Sequence, residues 1–239
     1  MAYSLITLEK SKSPISEAYR TLRTNVQFTG VDSETRIIMI TSAGPREGKS
    51  TTVANLAVSM AQTGKSVLVI DADLRNPTQH KIFGLNNAEG LSVALVLDQD
   101  YLDFVKETAV PGVMVLTGGP IPPNPAELVG SKRMKRLIEA VSQKYDIVLF
   151  DTPPVIAVTD GAILAQEVDG VILVLASNEV NKDYALRAKE QLDKVGAKIL
   201  GAVLNKADLK TSEYYYYYYY HGSDSSPKKR KSKRHKKAD

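Results

Sequence analysis

The chain has 239 residues, 43% of them hydrophobic, enough for one sizeable α/β domain plus tails. It has no cysteine and three scattered histidines, which excludes a disulfide framework and a Cys-based metal site and argues against zinc. The net charge of +4 is unevenly spread: Lys228–Lys237 holds eight of the 31 Lys/Arg, and residues 1–213 carry 23 basic against 25 acidic ones. No run approaches the roughly 18–20 apolar residues of a membrane span. The opening MAYSLITLEKSKS lacks the apolar stretch of a signal peptide, so a soluble cytoplasmic protein is expected.

Short apolar runs, mostly β-branched, recur along the chain at Ile37–Ile40, Val67–Ile70, Val113–Leu116, Ile147–Phe150, Val171–Leu175 and Ile199–Leu204. Continuous runs of this kind suit parallel strands buried on both faces. Amphipathic stretches, among them Ser50–Gln62, Pro125–Gln143 and Lys182–Val195, alternate with them. The alternation predicts an α/β fold: a doubly wound, mostly parallel sheet flanked by helices. The Pro/Gly-rich Gly118–Pro125 reads as a loop at a strand end, where ligands of such folds bind. Periodicity stops near Ala207, and the remainder reads as a disordered tail. That tail contains seven consecutive tyrosines, Tyr214, Tyr215, Tyr216, Tyr217, Tyr218, Tyr219 and Tyr220, of the chain's twelve. A folded core cannot bury all seven, because successive side chains point in different directions and each hydroxyl needs a partner. Exposed phenols are instead a row of oxygens able to accept a phosphoryl group.

The means to supply one begin at the end of the first strand. Ala43-Gly44-Pro45-Arg46-Glu47-Gly48-Lys49-Ser50, followed by Thr51, stands between a strand and a helix, as a P-loop must, with Ala43 in place of the first glycine. Backbone N–H groups of such a loop wrap a β-phosphate, Lys49 bridges β- and γ-oxygens, and Ser50 reaches Mg²⁺. The bland alternative, a turn with an incidental Lys-Ser, does not account for the carboxylates that follow. Asp71 and Asp73 close the second strand and Asp151, before Thr152-Pro153-Pro154, closes the fourth. In a parallel sheet those ends face the nucleotide crevice, where one carboxylate serves a metal and another the attacking nucleophile. A lone Asp at a strand end is usually solvated or caps a helix; three beside a P-loop are not. Asn205-Lys206-Ala207-Asp208 superficially matches a guanine-reading pattern, but Asp151 is followed by Thr-Pro-Pro and not by Asp-x-x-Gly spacing. Asn205 is read as a base-edge contact, with GTP as the minor alternative to ATP.

Together these motifs resemble those of the bacterial tyrosine kinases (BY-kinases), the cytoplasmic kinases of capsular and exopolysaccharide assembly. The likeness spans nearly all of residues 13–220 and includes Asp71, Asp73 and Arg75 of the additional acidic motif. It also includes Glu17-Ala-Tyr-Arg20-Thr-Leu-Arg23, which matches the family's Glu-x-x-Arg-x-x-Arg oligomerisation element. Spacing alone would favour an exposed helix with an internal Glu17–Arg20 pair. The resemblance implies that Glu17, Arg20 and Arg23 meet a neighbouring subunit in a ring-shaped homo-oligomer. It further implies a kinase using ATP and Mg²⁺. Lys49, Asp71, Asp73 and Asp151 would be catalytic, with Ser50, Asp73 and Asp151 around the metal, directly or through water, and Asp71 orienting or deprotonating the incoming tyrosine. The acceptors would be Tyr214–Tyr220 of a neighbour, alongside other protein substrates with tyrosine. A separate transmembrane activator would hold the kinase at the inner face of the membrane. On this reading residues 1–30 are an N-terminal segment with the oligomerisation helix, 31–210 the P-loop kinase domain, and 211–239 the tyrosine cluster and basic tail.

The rival is a ParA/MinD-like positioning ATPase, which shares the fold and acidic strand ends. That class carries a signature lysine early in the P-loop, where Ala43-Gly44-Pro45 has none, and has no use for a tyrosine run. The basic tail attracts nucleic-acid phosphate only weakly and offers no base-stacking platform, so no specific nucleic acid is expected. Solubilising the tyrosines, meeting an acidic partner or lipid, and a cloning remnant are its other readings.

Overall fold

The computed structural model describes residues 5–29, 35–97 and 99–207. The expectations placed on residues 208–239, the tyrosine acceptors and the disordered basic tail, lie outside them.

The chain opens with two helices, α1 (Ile6–Glu9) and α2 (Pro14–Phe28), before the first strand, β1 (Ile37–Ser42). There follow α3 (Lys49–Ala61), β2 (Val67–Asp71), α4 (Gln79–Phe83), α5 (Leu91–Ala94), a 3₁₀ turn Tyr101–Phe104, β3 (Lys106–Glu107) and β4 (Val113–Leu116). The remainder is α6 (Pro125–Val129), α7 (Lys132–Lys144), β5 (Ile147–Asp151), α8 (Asp160–Leu164), β6 (Gly170–Ala176), α9 (Lys182–Lys194) and β7 (Ile199–Asn205). Among the described residues seven strands form one sheet in the order β3-β4-β2-β5-β1-β6-β7. All neighbours are parallel except β3 against β4. The two-residue β3 is too short to carry a periodicity and was not foreseeable from the pattern.

The inner strands are covered on both sides, which is why β1, β2, β5 and β6 are apolar over most of their length; of the edge strands, β3 is Lys106–Glu107 and β7 is largely exposed. On one face Ile38, Ile40, Val67, Val69, Val115 and Leu149 meet α3 and Val26 of α2. On the other, Met39, Leu68, Ile70, Leu116, Val148 and Phe150 pack with α7 and α9. Successive residues divide between the two cores, as the strand period of two requires.

Helix starts follow their caps. The Ser13 hydroxyl accepts from Ser16 N–H ahead of Pro14, and the Asn181 side chain accepts from Asp183 N–H. The single helix expected over Pro125–Gln143 is two. Ser131, extended at φ −75° and ψ 156°, caps Met134 N–H and starts α7 afresh after Gly130. The N-terminal helices dock on α3: Asn55 Oδ1 accepts from Thr7 N–H at 3.1 Å, and Arg23 donates to the Ser59 carbonyl at 2.6 Å. The helix that carries the P-loop lysine is thereby wedged between the sheet and the N-terminal segment.

Candidate active site

The P-loop leaves β1 and turns into α3 through a conformation fixed by its own side chains. Ser42 Oγ donates to the Gly44 carbonyl at 2.7 Å. Glu47, almost wholly buried, accepts from Gly44 N–H within the loop and from Ala176 N–H at the end of β6, the latter at 2.9 Å. Asn205, the last residue of β7, donates from Nδ2 to the Glu47 carbonyl at 2.9 Å. The loop is thus tied to the ends of two further strands. Gly48 has φ +93°, and a Cβ there would lie 2.0 Å from Asn205 Nδ2. Glycine is required at this position for backbone conformation and for room beside Asn205. Pro45 and Arg46 are exposed at the loop's tip, and Thr51 lies in the first turn of α3.

Lys49 is buried and points across the site. Its Nζ donates to Asp73 Oδ2 at 2.8 Å, and lies 3.4 Å from Asp151 Oδ1 and 3.3 Å from Ser50 Oγ. Burial alone would depress the pKa of this ammonium, but Asp151 and Asp73 outweigh it and raise the pKa above its ordinary value, so Lys49 is charged. The lysine, both acidic motifs and the loop serine predicted from sequence therefore come together.

Asp71 and Asp151 are direct cross-strand partners of β2 and β5. The two aspartates of the first motif are used differently. Asp73 turns to Lys49, whereas Asp71 is wholly buried and its Oδ2 accepts from Thr78 and Gln79 N–H at 2.7 and 2.8 Å. Burial, then the charge of Asp151, push the Asp71 carboxyl up to about 8 against the lowering effect of those N–H groups and of Lys49.

Gln79 escaped the sequence reading. Fully buried at the start of α4, it donates from Nε2 to Asp151 Oδ2 at 2.8 Å and to the Ser50 carbonyl at 3.1 Å. One amide thus joins the P-loop to the acidic strand end. No motif flags a glutamine eight residues beyond Asp71; only the fold brings it back over β5. Asp160 was also missed: it forms a two-pronged pair with Arg75 at 2.9 and 3.1 Å.

The expected oligomer row divides. Glu17 and Arg20 pair with each other at 2.6 Å, and Arg20 also donates to the Ser11 carbonyl at 2.5 Å. Arg23 turns away from them toward α3. Asn205, expected to contact the base edge, stands beside the P-loop with its nitrogen engaged by the loop backbone.

Among the described residues no group of three or more His, Cys, Asp or Glu is arranged as a metal cage. Mg²⁺ does not need one, because it keeps several waters and takes one or two carboxylates together with substrate phosphates. Two buried oxygens, Asp71 Oδ1 and Gln79 Oε1, have no hydrogen-bond partner, and water donors around a hydrated cation fit that deficit.

A glycine-bearing loop from a central parallel strand into a helix, with a lysine met by carboxylates of two neighbouring strands, defines a P-loop nucleotide-binding protein. The AAA domain family matches residues 35–205. Tyrosine-protein kinase YwqD of Bacillus subtilis is 50% identical over 215 residues, covering 90% of this chain and 91% of that protein. The crystal structure of the chimerical protein CapA2B2 superposes with TM-score 0.82 at 45% identity, over 85% of this chain and 89% of the other. The kinase domain of Escherichia coli tyrosine kinase ETK gives TM-score 0.81 at 33% identity, covering 86% and 82%. The chain belongs to the bacterial tyrosine-protein kinases. Among the described residues no helix is long and apolar enough to cross a membrane.

Proposed function

We propose that this kinase transfers the γ-phosphoryl group of ATP to Tyr214–Tyr220 of a neighbouring copy within a ring-shaped homo-oligomer, and thereby regulates capsular or exopolysaccharide production. The observation that carries it is the convergence of Lys49, Ser50, Asp73 and Asp151 beside a buried Asp71 with one free oxygen. On ATP binding Lys49 exchanges carboxylate contacts for phosphate oxygens, and the loop amides hold the β-phosphate. A phenol oxygen attacks the γ-phosphorus and forms the new P–O bond. The bond from that phosphorus to the β,γ-bridging oxygen breaks, ADP departs, and the phenol proton passes to Oδ1 of Asp71 in its ionised form, which the positive charge of bound Mg²⁺ would favour. Ser50 would hold Mg²⁺, with Asp73 and Asp151 directly or through water; the ion supplies neutralisation of phosphate charge. Asn205 Oδ1 is left to meet the base, its nitrogen bracing the loop.

Glu17 and Arg20 are the outward part of the oligomer element. They meet a neighbour by exchanging their mutual pair, while Arg23 transmits the contact to α3. Each phosphotyrosine adds roughly −1.5 to −2 charges. Several on one segment repel each other and the acidic site, which loosens the ring. A separate transmembrane protein docks the kinase at the inner membrane face and raises its activity.

Incubation with ATP·Mg²⁺, with and without the activator's cytoplasmic segment, followed by peptide mass spectrometry, tests this reading. Phosphate on the Tyr214–Tyr220 peptide, absent in Lys49→Met, is the expected result. ATP hydrolysis without phosphotyrosine in either arm would return the chain to the positioning-ATPase reading.

A further inference from the structure

The two acidic strand ends are joined at the rim of the site by a pair that the phosphate-binding groups do not use. Arg75 projects from the turn 73–76, which is closed by Asn76 N–H donating to Asp73 Oδ1 at 3.1 Å. Its Nε and Nη2 donate to Asp160 Oδ2 and Oδ1 at 2.9 and 3.1 Å. The Asp160 side chain is fully buried, whereas that of Arg75 is 43% exposed. One edge of the guanidinium is therefore seated on a desolvated carboxylate. The remaining N–H groups, both on Nη1 and the second on Nη2, make no hydrogen bond with the described residues. The bond to Asp160 raises the Arg75 pKa, and the charge of Asp73 adds to this, so the guanidinium lies within electrostatic reach of the carboxylate that holds Lys49.

A brace between the turn 73–76 and the start of α8 would explain the Asp160 contacts but not the open side. A planar fork with fixed orientation and free N–H groups matches a carboxylate or phosphate in geometry and charge. An arginine anchored in this way has already lost its side-chain freedom and gives up little more on taking a ligand. The acceptor segment presents such anions. Glu213 immediately precedes Tyr214, and every phosphorylated tyrosine of the run stands next to another acceptor.

We propose that Arg75, positioned by Asp160, is an anion subsite that takes the carboxylate or phosphate of a residue neighbouring the reacting tyrosine on the same peptide. The inference rests on the reading that this site phosphorylates tyrosine-rich segments. It gives the tyrosine run an order: Glu213 directs the first transfer, and each phosphate improves the binding of the next acceptor until repulsion within the segment takes over.

The test uses the full chain with Tyr214–Tyr220→Phe, loaded with ADP·Mg²⁺, and fluorescence anisotropy of four labelled tyrosine-run peptides. One is plain, and the others carry phosphotyrosine, glutamate or lysine beside the central tyrosine. The phosphotyrosine and glutamate peptides are expected to bind at least about fivefold more tightly than the plain one, and the lysine peptide more weakly. Arg75→Gln should erase these differences while leaving the plain peptide's affinity unchanged. Asp160→Asn should narrow them, and Arg75→Lys should retain part of the phosphotyrosine preference. The Arg75→Lys variant decides the matter if Arg75→Gln unfolds, as judged by thermal melting. An undiminished preference in Arg75→Gln, no preference in the parent, no binding of any peptide, or equal loss for all four overturns the proposal. So does a loss confined to ADP affinity, which would assign Arg75 to the nucleotide. Phosphate incorporation into the native tail is measured separately, so failure of self-phosphorylation is distinguishable from failure of the subsite.

Discussion

The two ends of the sheet use the same residue types to opposite purposes. At the N-terminal ends of the strands, Asp169 accepts from Arg36 and Ile37 N–H, both at 2.8 Å. Asp146 accepts from Ser66 N–H and Oγ, both also at 2.8 Å. Arg36 donates to the Tyr145 and Asp146 carbonyls. Asp169, Asp146 and Arg36 are thus spent on nearby backbone and on the Ser66 hydroxyl. An open cleft of about 470 Å³ lined by Val26, Thr35, Arg36, Met60, Lys65 and Asp146 accompanies them, without a glycine-bearing phosphate loop. At the C-terminal ends three buried carboxylates crowd one lysine, and two oxygens have no partner. The first arrangement is nearly complete as it stands, with Thr35 Oγ1 a buried oxygen that has no partner. The second is complete only with a ligand, and that difference separates a structural end from a working one.

The sharpest break in this comparison is Lys49→Met. It removes the cation that, among the described residues, alone contacts Asp73 and Asp151, and phosphoryl transfer should fall by at least about 10²-fold in single-turnover assays. Gly48→Ala comes next. The residue must leave the left-handed region and Asn205 must move, at a cost of about 1–3 kcal/mol, read as lost nucleotide affinity by calorimetry. Measured against Asn205→Ala alone, which already loses the base contact and the loop brace, Gly48→Ala should cost less than it does in the wild type but still something, because the steric part is gone and the backbone part remains. No cost in that background would show that φ +93° is unimportant.

A smaller effect distinguishes the two arginines of α2. Arg23→Ala should lower stability by about 1–2 kcal/mol in denaturant melts through loss of the Ser59 contact. Arg20→Ala should leave the monomer's stability nearly unchanged, because an exposed i,i+3 pair contributes little, and should shift the oligomer distribution in light scattering.

The least effect belongs to the other end of the sheet. Hydrogen bonds from Ser66, backbone first, hold the Asp146 carboxyl below its ordinary pKa, with Lys65 and Arg36 assisting. A depressed folded pKa stabilises above the unfolded value and is lost as pH falls through the folded one. The melting-temperature gap between wild type and Asp146→Asn should therefore be open at neutral pH and close below the ordinary carboxylate range. Catalysis should be unaffected throughout, and loss of activity in this variant would erase the contrast between the two ends.

The strands β1, β2 and β4–β6 were readable because burial leaves a continuous apolar run, and the part-exposed edge strand β7 because its residues are apolar all the same. The P-loop and the Asp71, Asp73 and Asp151 strand ends were readable because each is a contiguous segment whose chemistry is local. Sequence by itself thus determined the fold class, the phosphate loop and the family. Only the tertiary structure decided how the parts are joined. Gln79 bridges Ser50 to Asp151, Glu47 ties the loop to Ala176, Asn205 sits against Gly48, Asp160 seats Arg75, and Arg23 leaves the oligomer row for Ser59. Most of these link residues far apart along the chain, and a side chain's partner at that distance depends on strand order and helix placement. The same cause separates Asp71 from Asp73. Two residues apart, they look equivalent in sequence, but the chain curls back through Thr78 and Gln79 over one and leaves the other to the lysine.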